Sequence, residues 1–193
     1  MDPITHLMTG AVLARTGFNR KAAYATLAMT LAAEAPDLDV LWSIKGPLAA
    51  FQHHRGWTHT LFGLPFEAAV VVGAVWLFHR WRKNKPAKQK APIRWGLLYA
   101  FSLIALLSHL LLDWTNNYGL RLFFPFNPRW YSGSIVFIFE PLIFAALLIA
   151  LVAPALFGLI SSEVGVRKSP FRGRAWAIAA LIAIAALYEW RTL

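Results

Sequence analysis

The chain contains no cysteine, which removes disulfides, thiolate metal sites and thiol nucleophiles together. Acidic residues are scarce, nine Asp and Glu against 19 Lys and Arg, for a formal net charge of +10. Polar sequence is scarce too. Hydrophobic residues make up 58% of the 193 positions and the mean hydropathy is +0.51, too apolar for an ordinary soluble globule. Internal repeats and low-complexity tracts are missing. Met1-Asp2-Pro3 is followed by neither a basic stretch nor a cleavage pattern, so no removable leader is expected. The length suits one domain, residues 1–193.

What is present is a series of apolar helical stretches. Residues 3–16 read as a short helix, with Asp2 placed to cap it and Pro3 at its first position. Gly17-Phe18-Asn19 breaks it, and residues 21–35 form a second short helix rich in Ala and Leu. Each is roughly 20 Å long at 1.5 Å per residue, short of the roughly 30 Å hydrocarbon core. The two are expected to pair as an antiparallel hairpin, which puts His6 beside residues 31–34. Residues 40–56 read as a connection. Spans are expected at 57–78, 95–113 and 135–160, with a shorter last helix at 175–190. The fold class is therefore all-α: a polytopic integral membrane bundle with an N-terminal helical hairpin.

The basic residues lie mainly in loops. Segments 15–21, 79–94 and 163–174 hold 14 of the 19 Lys and Arg, the pattern that sets membrane orientation. Nucleic acid is not expected as a partner; the bilayer is. The basic loops would face the cytoplasm. Asp2, Glu34, Asp37, Asp39, Asp113, Glu140 and Glu189 then fall toward the opposite side, together with the histidines of the site.

The chemistry concentrates in His53-His54-Arg55-Gly56-Trp57-Thr58-His59. An ionisable side chain at bilayer depth costs roughly 2.5–3.5 kcal/mol on insertion scales, so such residues usually have partners and a task. Partners appear in His6, in Glu34-Ala35-Pro36-Asp37-Leu38-Asp39 and in His109-x-x-x-Asp113, whose two side chains share a helix face. Imidazole and carboxylate suit zinc, manganese or another divalent ion. The candidate metal ligands are His6, Asp37, His54, His59, His109 and Asp113. His53 and His54 are adjacent and point apart, so only one is expected to ligate, and His54 is preferred. Asp37 and Asp39 could each instead cap a turn. Glu34 and Asp39 are candidates for accepting a proton, and Glu34 alternatively for orienting a histidine. Arg55 suits a bidentate hold on phosphate, or a structural pair with Asp37 or Asp39. Glu67, eight residues after His59, reads as lying on the same helix face but deeper, a proton relay or a neutral acid bonded to a neighbouring helix. Tyr118 and Glu140 complete the set as supporting or substrate-binding groups.

Thr5-His6 with Gly10, Ala35-Pro36-Asp37-Leu38-Asp39 and His54-Arg55-Gly56-x-Thr58-His59 form a recognisable set. To them is added a run from His109 to Pro141, with Thr115, Tyr118-Gly119, Phe124-Pro125-Phe126 and Phe137-Ile138-Phe139-Glu140-Pro141. Over residues 3–145 the chain resembles the membrane-bound metal-dependent hydrolases that include SOS-regulated inner-membrane proteins. Members often have Asp where this chain has Glu140, and another acid where it has Gly133-Ser134. The ligand order is also similar to that of the all-helical zinc phospholipases C.

The resemblance and the cluster together imply a metal-dependent hydrolase of the bacterial inner membrane. Its cofactor would be a divalent ion, zinc first and manganese or magnesium as alternatives. Its substrate would be a lipid-linked or membrane-proximal phosphoester, met on the non-cytoplasmic side. A transporter using the same His and carboxylates as an ion path is the rival from another class. A metal-stabilised protein without turnover is a third reading. A zinc protease is not expected, because no His-Glu-x-x-His is present.

Overall fold

The computed structural model describes residues 1–82, 91–163 and 172–193. Helix α1, Pro3–Leu13, starts as its sequence dictates. The Asp2 carboxylate accepts from the Thr5 amide at 2.9 Å and the Thr5 hydroxyl at 2.5 Å, and Pro3 follows the cap. The helix widens into a π turn over Ala14–Phe18, where Gly17 at φ 147° turns the chain into the short α2, Asn19–Lys21. Tyr24, left-handed at φ 65°, leads into α3, Ala25–Glu34. α1 and α3 form the expected hairpin.

The hairpin packs unusually close because Gly10 of α1 faces the α3 backbone. A Cβ there would stand 2.5 Å from the Met29 carbonyl oxygen and 2.7 Å from the Ala33 Cβ. Ala25, Ala28 and Ala32 keep the rest of α3 slim, as small residues do where helices must approach.

After Glu34 the chain tightens into a 3₁₀ run, Ala35–Lys45, then makes α4, Pro47–His53, and a 3₁₀ turn, Trp57–His59. The stretch expected to be a connection with at most one helical turn is thus largely helical. Four longer helices follow: α5, Leu64–Trp81; α6, Trp95–Thr115; α7, Pro141–Glu163; and α8, Arg172–Thr192. Among the described residues there is no strand, only isolated bridges pairing Asn116 with Val136 and Leu120 with Tyr131. The hairpin separates two apolar clusters. Met29, Leu64, Val71, Leu98 and Leu106 join α3, α5 and α6. Met8, Val12, Ile143, Leu147 and Ala177 join α1, α7 and α8.

Two expected spans change. The one placed at 57–78 begins only at Leu64, because Trp57–His59 turns in 3₁₀ geometry and Thr60 is extended. The one placed at 135–160 begins at Pro141. Two helices are long and apolar enough to cross a membrane, Trp95–Thr115 and Gly173–Thr192, and Pro141–Phe157 is a shorter apolar segment. The fold is all-α with these two candidate spans. Most of the two basic loops, residues 83–90 and 164–171, lies outside the described residues.

Gly10→Ala tests the hairpin contact, because propensity and packing oppose each other there. Ala is about 1 kcal/mol the better helix former, but overpacking against fixed backbone costs about 1–3 kcal/mol. Packing is expected to win, lowering the melting temperature of the purified protein; a rise would show the helices free to separate.

Candidate metal centre

The centre is assembled where α3 ends against the last turns of α6. His109 and Asp113, one turn apart on α6, face the hairpin. His109 Nδ1 lies 2.7 Å from the Ala33 carbonyl oxygen, one of the carbonyls the end of α3 leaves open. A carbonyl can only accept, so the proton sits on Nδ1 and Nε2 presents a bare lone pair inward. His59 arrives on the 3₁₀ turn. Its Nδ1 is 3.0 Å from Thr58 Oγ1 and 3.5 Å from Asp39 Oδ2, and its Nε2 is 3.2 Å from His109 Nε2. Asp37, on the 3₁₀ run after α3, brings Oδ1 to 3.4 Å from His59 Nε2 and 3.7 Å from His109 Nε2. Asp113 Oδ2 stands 3.5 and 3.7 Å from the same two nitrogens.

One ligand atom from each of Asp37, His59, His109 and Asp113 thus lies within 4.8 Å of every other. Burial holds His59 below the usual imidazole range, only partly offset by Asp37 and Asp39. A neutral His59 has one proton; placed on Nδ1 it serves Asp39 and leaves Nε2 bare. Burial alone would raise the Asp37 carboxyl, but the contact with His59 and the surrounding imidazoles outweigh it and hold it low. Asp113 Oδ2 is buried without a well-aligned hydrogen bond. With the His59 proton on Nδ1, two lone pairs and two carboxylate oxygens converge and repel one another, and a metal ion would resolve that. The four residues form a cluster that could hold one.

Supporting residues fix these groups. Asp39 accepts from the Arg55 amide at 2.7 Å and lies 3.2 Å from His54 Nδ1. With its oxygens engaged by the Arg55 amide, His54 and His59, Asp39 orients the histidines and is poorly placed as the base expected from sequence. Arg55 adopts φ 54°. Its guanidinium lies 2.9 Å from Asp113 Oδ2, donates to the Gly119 carbonyl and covers the Tyr118 ring at 4.7 Å. Asn116 drew no attention in the sequence. Its Nδ2 donates to Asp113 Oδ1 at 3.3 Å while its Oδ1 receives the amides of Tyr118 and Gly119. An Asn just past a helix end, ahead of Tyr-Gly, is the signal that could have found it.

The other candidates are placed as follows. His6 stacks on His109 with ring centroids 3.7 Å apart and sets Nε2 3.3 Å from Asp113 Oδ1, beside the four ligand atoms but outside their group. The Met1 amino group contacts Asp113 and lies 2.8 Å from His6 Nε2. His54 is outside the group, its side chain 43% exposed and turned to Asp39. Glu34 lines a 320 Å³ pocket with Asp37, Arg55 and Tyr118. One of its oxygens is buried without a partner, and burial, reinforced by Asp37, raises its carboxyl to about 7. Glu67 sits in the first turn of α5 beside Gly63. His59 is not on that helix, so the shared face expected from an eight-residue spacing does not exist. Glu140 serves elsewhere: it pairs with Arg191 of α8 at 3.1 Å.

A family model described as YdjM inner membrane protein matches residues 1–193. The chain belongs to that family. A Bacillus subtilis relative, described as uncharacterized protein YfhP, is 26% identical over 159 residues, covering 78% of this chain. The chain spans 45% of that relative's length. No solved structure matches. The family is one of inner membrane proteins, in keeping with the two apolar helices of spanning length.

The geometry separates ligands from neighbours. Metal content by elemental analysis is expected to fall at least tenfold in His109→Ala and Asp113→Ala and to persist in His54→Ala. Loss in His54→Ala with retention in His109→Ala would overturn the four-residue assignment.

Proposed function

We propose that the chain is a metal-dependent hydrolase embedded in the bacterial inner membrane, acting on a phosphoester of a lipid-linked or membrane-proximal substrate. The observation that carries this reading is the convergence of four ligand atoms beside an open pocket that also holds an unpaired carboxylate. Five of the six separations among those atoms run from 3.2 to 3.7 Å. Ligands about 2.0–2.1 Å from a tetrahedral zinc lie about 3.3–3.4 Å apart. Charge agrees: Asp37, Asp39 and Asp113 face the Arg55 guanidinium and the Met1 amino group, which burial pushes down to about 5 and so leaves uncharged at neutral pH, so that two negative charges remain for a divalent ion. Two imidazoles and two carboxylates favour zinc, with manganese or magnesium as alternatives. Such an ion supplies Lewis acidity toward a phosphoryl oxygen and makes water a better nucleophile.

The chain's own residues supply the rest. Glu34, raised to about 7, accepts a proton at neutral pH as a general base must. Arg55 presents positive charge to the pocket where a phosphate would lie. Pro3, Val40 and Ile138 add an apolar part to a wall that also includes Asp39 and His54. Leu38, Val40, Leu41 and Ile44, exposed on the 3₁₀ run, extend that surface toward acyl chains. α5 and α7 would cross the membrane beside α6 and α8, since Phe66, Val70, Leu77, Ile149 and Leu156 turn outward. The site would open on the non-cytoplasmic side, because Arg15, Arg20 and Arg174 mark the other end of the bundle. The interior between the two ends is lined mainly by apolar side chains, Met29, Val71, Val75 and Leu98, with Ser102 buried among them, which disfavours the transporter.

Purified protein should release product from at least one member of a panel of phospholipids, polyprenyl phosphates and generic phosphoesters, dependent on zinc or manganese. Glu34→Gln should keep its metal yet lose about 10²-fold or more in turnover, the scale of a general base. In the wild type, turnover should rise with pH through about 7, as Glu34 loses its proton; that limb should vanish in Glu34→Gln. No metal-dependent product from any member of the panel would reject the hydrolase.

A further inference from the structure

A second pocket, of about 350 Å³, opens among the π turn, α2, α7 and the start of α8. Arg15, Asn19, Arg20 and Arg174 line it against an apolar floor of Leu151, Pro154 and Ala155, and none of the described lining residues is acidic. It is remote from the metal centre. Arg15 is nine residues beyond His6, and Pro154 lies 13 residues beyond the start of α7, so the pocket is roughly 15–20 Å along the bundle.

The pocket is shaped by fixed backbone. Gly17, at φ 147°, turns the chain so that Arg174 packs against it, with the Arg174 Cζ 3.9 Å from where a Cβ would stand. Pro154 interrupts the amide ladder of α7. Beside it Arg15 Nη1 donates 2.9 Å to the Leu151 carbonyl, anchoring that guanidinium at the pocket wall. The Arg174 side chain stays exposed. Guanidinium groups over an apolar floor, between helices at the basic end of a membrane bundle, match a phosphate headgroup with its acyl chains running down the helices.

We propose that this pocket binds the phosphate headgroup of an anionic phospholipid in the leaflet at the basic end of the bundle. The site is separate from the metal centre and does not depend on turnover there.

The test melts the full chain in a neutral detergent with phosphatidylglycerol, with phosphatidylcholine, or with inorganic phosphate. Phosphatidylglycerol should raise the wild-type melting temperature by about 5 °C or more at saturation, and the other two should not. Arg174→Gln should lose most of that rise while keeping its lipid-free melting temperature and metal content; it carries the test even where Arg15→Gln fails to fold. The rise should persist in Glu34→Gln and shrink at high salt. An equal rise with phosphatidylcholine, a full rise with phosphate alone, or an undiminished rise in Arg174→Gln would overturn the proposal. So would loss of the rise in Glu34→Gln, which would assign the lipid to the metal centre instead.

Discussion

The bond from His109 Nδ1 to the Ala33 carbonyl ties a helix end to an imidazole, and most of the centre depends on it. It satisfies a carbonyl that α3 cannot use internally. It also sets the tautomer, so that the lone pair of Nε2 points inward. For this bond to form, α3 must end where α6 places His109. The close approach of Gly10 to Met29 and Ala33 holds α1 against α3 at the same level. That brings His6 onto the face of His109. A packing contact between two short helices thereby helps set the geometry of the candidate site.

The residues around the ligands do more orienting than reacting. Asp39 takes the Arg55 amide and faces both His54 and His59, so the turn carrying His59 is pinned from the 3₁₀ run that also carries Asp37. Arg55 accepts a left-handed backbone, normally unfavourable for a side chain of its size, and reaches both Asp113 and Gly119. Strain of this kind persists where the surroundings over-determine it, as they do beside functional groups. Glu34 stands apart. Its unpaired oxygen and raised carboxyl mark it as the acid in the pocket that nothing else has claimed.

Much of this was legible in the residues, and the failures have physical causes. Asp2-Pro3 announced the start of α1 because cap and proline act locally. His109 and Asp113 were readable as a pair because helical spacing alone puts them on one face. Asp37 and Asp39 could not be told apart, since their roles depend on which way a 3₁₀ run turns. The stretch from Trp57 to Gly63 is apolar enough to pass for the beginning of a span, and only the fold shows it spent on a turn that delivers His59. Glu140 looked like part of the site because it shares a run with Tyr118, yet α8 brings Arg191 to it, a long-range contact no local pattern encodes. Asn116 went unnoticed for the opposite reason: its role is local, but an Asn after a helix usually signals only a turn.

The distribution of charge gives the bundle a direction. Carboxylates and imidazoles gather where α1 begins and where α3 and α6 end; guanidinium groups gather where α1 ends and α8 begins. Between them lie Met29, Val71, Leu98 and Leu106, fully or nearly fully buried and wholly apolar. Buried carboxylates cost several kcal/mol each when unpaired; Asp113 meets the Arg55 guanidinium and the Met1 amino group, Asp39 takes the Arg55 amide, and Asp37 faces the imidazoles of His59 and His109. A fold that keeps these carboxylates at one end, separated from the basic end by a largely apolar core, holds them against the general tendency of cores to exclude charge. An ion bound at that end would offset these charges, which would link metal binding and stability in this bundle.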